Sequence, residues 1–124
     1  MSKQNKKILL IEDDSTQVML YEIEFKLFGY ELLIAQNGKD GIKIALKEKP
    51  DLILLDLLLG DINGLEVLKT IKKNKDTKET KILILSNYNK KGLEDECKKL
   101  GAISYLTKSD FIPKEIVKIA EKYL

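Results

Sequence analysis

A chain of 124 residues with 44% hydrophobic and 34% charged residues can fill one core and is not a disordered composition. Its 22 basic and 20 acidic residues leave a net charge of +2, with the lysines spread along the chain and not gathered into the basic stripe a nucleic-acid surface needs. The absence of histidine excludes His-based general-base catalysis, Ser–His and Cys–His pairs and His metal ligands, and a single cysteine, Cys97, excludes an internal disulfide and fits a reducing compartment.

Strand and helix patterns alternate along the chain. After a short polar start, Met1 to Lys7, the run Ile8–Ile11 is apolar throughout, as expected of a strand covered on both faces. Ser15–Phe28 has helical spacing through Val18, Tyr21, Phe25 and Phe28, with Ser15 the expected N-cap and Gly29 the stop. Leu32–Ala35 is a second strand. A helix capped by Asn37 runs to about Lys47, and Pro50 blocks its continuation. Leu52–Leu55 is a third strand, followed by a loop around Gly60–Gly64 and a helix over Leu65–Ile71. Lys72–Lys81 is polar and lysine-rich, the pattern of a solvated loop.

Ile82–Leu85 is the fourth strand. Gly92–Leu100 is a helix stopped by Gly101, with Cys97 on its core side, Leu93 and Leu100 lying four residues before and three after it. Ile103–Leu106 is the fifth strand, and Pro113–Tyr123 the last helix, with Pro113 in its first turn. Five βα units with right-handed crossovers give an α/β fold, a doubly wound parallel sheet in three αβα layers. The chain reads as one domain, 1–124, with no output domain attached. The first apolar run is too short for a signal peptide, and Leu52 to Leu59, broken by Asp56, is far below membrane-spanning length. A cytoplasmic protein is expected, with no nucleic-acid or membrane partner.

In such sheets the site lies outside the carboxyl ends of the strands. Strand one ends on Glu12, Asp13 and Asp14; strand three on Asp56; strand four on Ser86 and Asn87; strand five just before Lys108. Turns also favour Asp, Asn and Ser, so each residue alone says little. Together they place acids, a hydroxyl and an amine on one rim. Carboxylates gathered there repel one another and call for a divalent cation, with one acid free as a nucleophile. The chain lacks a Walker loop, and Asp61-Ile62-Asn63-Gly64 lacks the ligand spacing of a calcium loop.

Over its whole length the chain resembles the receiver domain of two-component response regulators. The resemblance rests on Lys7-Ile8-Leu9-Leu10-Ile11-Glu12-Asp13-Asp14, on Pro50–Asp56, on Gly60-Asp61-Ile62-Asn63-Gly64-Leu65-Glu66, on Ile82–Ser86 and on Gly101–Lys108. It implies a flavodoxin-like, five-stranded sheet in the order 2-1-3-4-5. It implies that Asp56 takes a phosphoryl group from a sensor histidine kinase or phosphotransfer protein. Asp13, Asp56 and the backbone carbonyl of Leu58 would bind Mg2+ (or Mn2+) directly, and Glu12 would hold it through water. Lys108 would pair with one phosphoryl oxygen and Ser86 would hydrogen-bond another. Tyr105 would change rotamer, altering the face of the fourth helix, fifth strand and last helix, near Lys90, Lys91, Lys98, Phe111 and Ile112, that meets a downstream protein. The protein would be a monomer or a weak phosphorylation-dependent dimer. It would be a signalling phosphoacceptor that promotes its own phosphorylation and dephosphorylation, with no separate substrate turnover.

Three positions depart from the family pattern. Ser109 follows Lys108 where proline and a cis bond are usual; without proline, cis costs about 3 kcal/mol, so a trans bond or a reshaped loop is expected. Gly60 stands where proline is common. Asn87 is larger than the usual small residue and narrows the approach to Asp56. Leu58 and Tyr88 flank the site where the family tunes dephosphorylation; Leu58 cannot orient a water, which implies slow loss of the phosphoryl group. Two alternatives remain: a receiver-like adaptor that docks partners without phosphorylation, which Asn87 and Ser109 keep open, and a small metal-dependent phosphatase, which would want a second acid where Leu58 sits.

Overall fold

The computed structural model describes residues 5–124. The first four positions of the polar start read at Met1 to Lys7 lie outside that range. Five strands, β1 (Ile8–Ile11), β2 (Leu32–Ala35), β3 (Leu52–Leu55), β4 (Lys81–Ser86) and β5 (Ser104–Thr107), alternate with five helices, α1 (Ser15–Leu27), α2 (Gly38–Glu48), α3 (Gly64–Lys73), α4 (Leu93–Lys99) and α5 (Pro113–Glu121). All pairings are parallel and the order is β2-β1-β3-β4-β5.

The all-apolar strand sequences follow from being covered on both faces. Alternate residues feed two cores. Ile8, Leu10, Leu52, Leu54, Leu83 and Leu85 pack with Val18, Tyr21 and Phe25 of α1 and Ile116, Val117 and Ala120 of α5. Leu9, Ile11, Ile53, Leu55, Ile82 and Ile84 pack with Ala45 of α2, Val67, Leu68 and Ile71 of α3, and Leu93 and Cys97 of α4. Each fully buried side chain of this size contributes roughly 1.5–3 kcal/mol. Cys97 faces the core as expected, and burial pushes its thiol up to about 11, which keeps it protonated and unreactive.

Several boundaries move for identifiable reasons. The N-cap of α1 is Asp14, not Ser15: its carboxylate accepts from the Thr16 and Gln17 N–H groups at 2.9 and 3.1 Å, a stronger acceptor than a hydroxyl beside the positive end of the helix. Gly29 (φ 93°) stops α1 as expected. Asn37 caps α2 by accepting from the Asp40 N–H at 2.8 Å, and Lys49 closes that helix in the left-handed region (φ 47°) before Pro50. β5 lies one residue later than its apolar run suggests, because Ser104–Thr107 is the stretch in register with Leu83–Ser86.

The lysine-rich connection is mostly exposed, as expected, but it is anchored at two points. Thr77 is buried and donates to the Ile71 carbonyl at 2.7 Å. Lys72 belongs to α3, and its Nζ donates to the carbonyls of Lys78 (3.1 Å) and Thr80 (2.6 Å). Both groups tie the turn down after α3, while Lys73, Lys75, Asp76, Lys78, Glu79 and Lys81 stay exposed, so the solvated reading holds for most of the segment.

Candidate functional site

Strand register brings the acids together. Ile11 pairs with Leu55, so Glu12 and Asp56 leave adjacent strands side by side. Their backbones stay in the ladder one step further: the Asp56 N–H donates to the Ile11 carbonyl (3.1 Å) and the Glu12 N–H to the Ala35 carbonyl (3.0 Å). On the other flank Ser86 pairs with Thr107, and Lys108 follows as the first residue of a 3-10 turn, Lys108–Asp110. Asp56 and Glu12 are buried, at 6% and 1% exposure, whereas Asp13 is exposed.

Lys108 is the hub. Its side chain, about 11% exposed, donates to Glu12 Oε1 and to Asp56 Oδ2, the latter at 3.0 Å. Burial works against the ammonium charge, but the hydrogen bond it donates to Glu12 and the charge of Asp56 outweigh it and raise its pKa. Glu12 is pushed up to about 7, chiefly by burial, against the restraint of the Lys108 hydrogen bond. Its second oxygen, Oε2, accepts from the Asp14 N–H at 3.1 Å, so both oxygens are fixed. Asp56 Oδ1 accepts from the Leu58 N–H at 3.2 Å.

One carboxylate oxygen each from Glu12, Asp13 and Asp56 lies within 4.8 Å of the others. A single ammonium cannot neutralise three carboxylates, and oxygen donors of this kind suit a hard divalent cation such as Mg2+ or Mn2+. The donor set therefore fits the ion that the sequence calls for. Gly60 is part of the same wall: a methyl group there would sit 3.8 Å from Asp13 Oδ2, so the loop after β3 runs alongside the acids.

The remaining expected residues ring this centre. Ser86 is fully buried and its Oγ accepts from the Tyr88 N–H at 3.1 Å, capping the turn after β4. Tyr105 is half-buried on β5, and its hydroxyl donates to the Tyr88 carbonyl. The side chains of Leu58 and Tyr88 are exposed. Asn87 is exposed, and its Oδ1 accepts from the Ser109 N–H at 2.8 Å. No peptide bond among the described residues is cis, so Lys108–Ser109 is trans, with the loop turned into 3-10 geometry.

Two supports of the site are not visible in the sequence. Asp61 accepts from the Gly38 and Lys39 N–H groups at 2.8 and 2.9 Å, tying the loop after β3 to the start of α2. Nothing in the spacing of residues 61 and 38 announces that contact. Gly64 packs its α-carbon against Leu57 and Asp56: a Cβ there would lie 2.5 Å from Leu57 Cα and 2.6 Å from the Asp56 carbonyl oxygen. Its place at the end of the loop motif was legible, but the reason for glycine was not.

Similarity to known proteins agrees with this geometry. The family described as response regulator receiver domain matches residues 8–121. Sporulation initiation phosphotransferase F of Bacillus subtilis is 34% identical over 121 residues, covering 97% of this chain and 94% of that protein. The chemotaxis protein CheY4 of Vibrio cholerae superposes with a TM-score of 0.86 at 26% identity, over 96% of this chain and 98% of that one. The Mn2+-bound form of response regulator Rcp1 superposes with a TM-score of 0.81 at 31% identity, over 94% and 90% of the two chains. With its β2-β1-β3-β4-β5 sheet and the acids, hydroxyl and lysine gathered on one rim, the chain belongs to the receiver domains of two-component response regulators.

Proposed function

We propose that Asp56 is the phosphoacceptor and that the protein is a phosphorylation switch driven by a sensor histidine kinase or phosphotransfer protein. The observation that carries this reading is the setting of Asp56. It is a buried carboxylate at the centre of the rim, 3.0 Å from Lys108 Nζ and within reach of the Glu12 and Asp13 oxygens.

An Asp56 oxygen attacks the phosphorus of a phosphohistidine. The O–P bond forms, the P–N bond breaks, and the imidazole leaves with the electron pair. The attacking group is a carboxylate, so no general base is required and the lack of histidine is no obstacle. Lys108 moves from Asp56 Oδ2 onto a phosphoryl oxygen, and the Ser86 hydroxyl donates to another once it leaves the Tyr88 N–H. Asp13, Asp56 and the Leu58 carbonyl would hold Mg2+ or Mn2+, with Glu12 acting through water; the ion supplies charge neutralisation on the non-bridging oxygens. Tyr105 then gives up the Tyr88 carbonyl and repacks, which reshapes the α4-β5-α5 face where Lys90, Lys91, Lys98, Phe111 and Ile112 present themselves to a downstream protein. Exposed, apolar Leu58 offers no hydrogen bond to a hydrolytic water, so the phosphoryl group is lost slowly. The turnover expected is confined to the protein's own phosphoryl group.

The test is to incubate the protein with Mg2+ and acetyl phosphate and to weigh it. A mass gain of one phosphoryl group in the wild type, absent from Asp56→Asn, is the expected result. No gain with either acetyl phosphate or a cognate kinase overturns the reading in favour of a phosphorylation-independent adaptor. Steady release of phosphate from varied phosphoesters would instead mark a phosphatase.

A further inference from the structure

A second contact bridges the same two strand ends, and the phosphoacceptor reading makes no use of it. Asn87 directly follows Ser86, and Ser109 directly follows Lys108. Asn87 Oδ1 accepts from the Ser109 backbone N–H at 2.8 Å across 22 positions of sequence. The β4–β5 ladder has its last pair at Ser86 and Thr107. The side chain of Asn87 therefore carries the connection beyond the point where backbone pairing stops.

The chemistry of the pair is mutual. The donor exists only because residue 109 is not proline, which has no N–H. Ser109 lies in the opening of a 3-10 turn, where an N–H has no acceptor within the turn itself and needs one from outside. The acceptor must be a side-chain carbonyl or carboxylate long enough to cross from β4, which a small residue at position 87 could not supply. Lys108 is one peptide away. Its four-carbon stem is flexible, so where its ammonium can reach depends on how firmly its backbone is held.

We propose that Asn87 is a positioning residue for Lys108. It clamps the Ser109 N–H, fixes the start of the turn, and keeps Lys108 Nζ over Asp56 while tying it to the strand end that bears Ser86. The proposal rests on the reading of Asp56 as phosphoacceptor. It makes Asn87 and Ser109 two halves of one device, and the narrowing of the approach to Asp56 is secondary to that role.

The clamp is read first without phosphorylation. Hydrogen exchange of the Ser109 amide in the unphosphorylated protein should be slow in the wild type, faster in Asn87→Ala, and slow again in Asn87→Asp, which keeps an acceptor in reach. The positioning role is read from the rate of phosphorylation by acetyl phosphate and Mg2+. Asn87→Ala should lower it about fivefold, the effect of one neutral hydrogen bond. In a Lys108→Ala background the same substitution should change the rate less than twofold, because the group it positions is gone. Unchanged exchange at Ser109, a rate in Asn87→Ala equal to or above wild type, or an equal loss in both backgrounds would overturn the proposal. If exchange responds while the wild type takes up no phosphoryl group, the phosphoacceptor reading has failed and Asn87 holds the turn for structure alone.

Discussion

At the scale of single residues, the site balances like charges against one amine. Glu12 and Asp56 share Lys108, while Asp13 has no share in that ammonium and stands exposed beside them. Removing its charge should relieve repulsion and also remove a metal donor. Asp13→Asn should stabilise the metal-free protein by about 0.5 kcal/mol, a small value because the group is exposed and screened. In the wild type, Mg2+ at a hundredfold excess over its Kd should add about 2.7 kcal/mol by binding only the folded rim. Thermal melts with and without Mg2+ check both statements. A wild type indifferent to Mg2+, or an Asp13→Asn that melts lower without metal, would mean the acids serve another purpose.

At the scale of elements, the site depends on where helices and loops begin. The first turn of α3 lies against the backbone just past β3 because residue 64 has no side chain. A methyl group at that position meets backbone atoms of Leu57 and Asp56, and backbone cannot step aside as a flexible side chain can. Gly64→Ala should therefore destabilise the fold by about 2 kcal/mol, within the range for overpacking. It should also slow phosphorylation, since the carbonyl displaced is that of Asp56. Denaturant midpoints and acetyl phosphate kinetics on the same variant would measure both, and a neutral substitution would show that the loop yields. The start of α1 has a similar double duty. Asp14 caps the helix with its carboxylate and holds Glu12 with its N–H.

At the scale of the whole molecule, one carboxylate makes a distinct contribution to acid stability. The Lys39 and Gly38 N–H groups hold Asp61 at about 2, below its ordinary 3.8. Its folded value is the lower one, so the stability it confers is present above pH 3.8 and is lost as pH falls through about 2. Asp61→Asn should melt lower than wild type at pH 7, and its melting temperature should fall less between pH 4 and pH 2. Parallel curves for the two proteins across that interval would deny Asp61 this role. Most of the architecture was legible in advance because the all-apolar runs at Ile8, Leu52 and Ile82 and the glycine and proline stops leave few alternatives. The rim was legible for the same reason: a parallel sheet sends every strand end to one side. What stayed hidden were contacts between residues distant in sequence and unremarkable in type, such as Asp61 with Gly38 and Asn87 with Ser109. No periodicity encodes these pairs, because they arise only once the layers are closed.

The burial of the strands gives the site two walls of unequal stiffness. β1 and β3, which carry Glu12 and Asp56, are buried along their whole length and gripped by side chains of both cores. β5, which leads to Lys108 and carries Tyr105, is only half-buried at every position. Segments with less buried contact open at lower cost. Strain created at Asp56 would thus find β1 and β3 unyielding and would be released sideways, toward the sheet edge formed by β5. Of the four strands whose ends build the rim, β5 alone is packed loosely enough to yield.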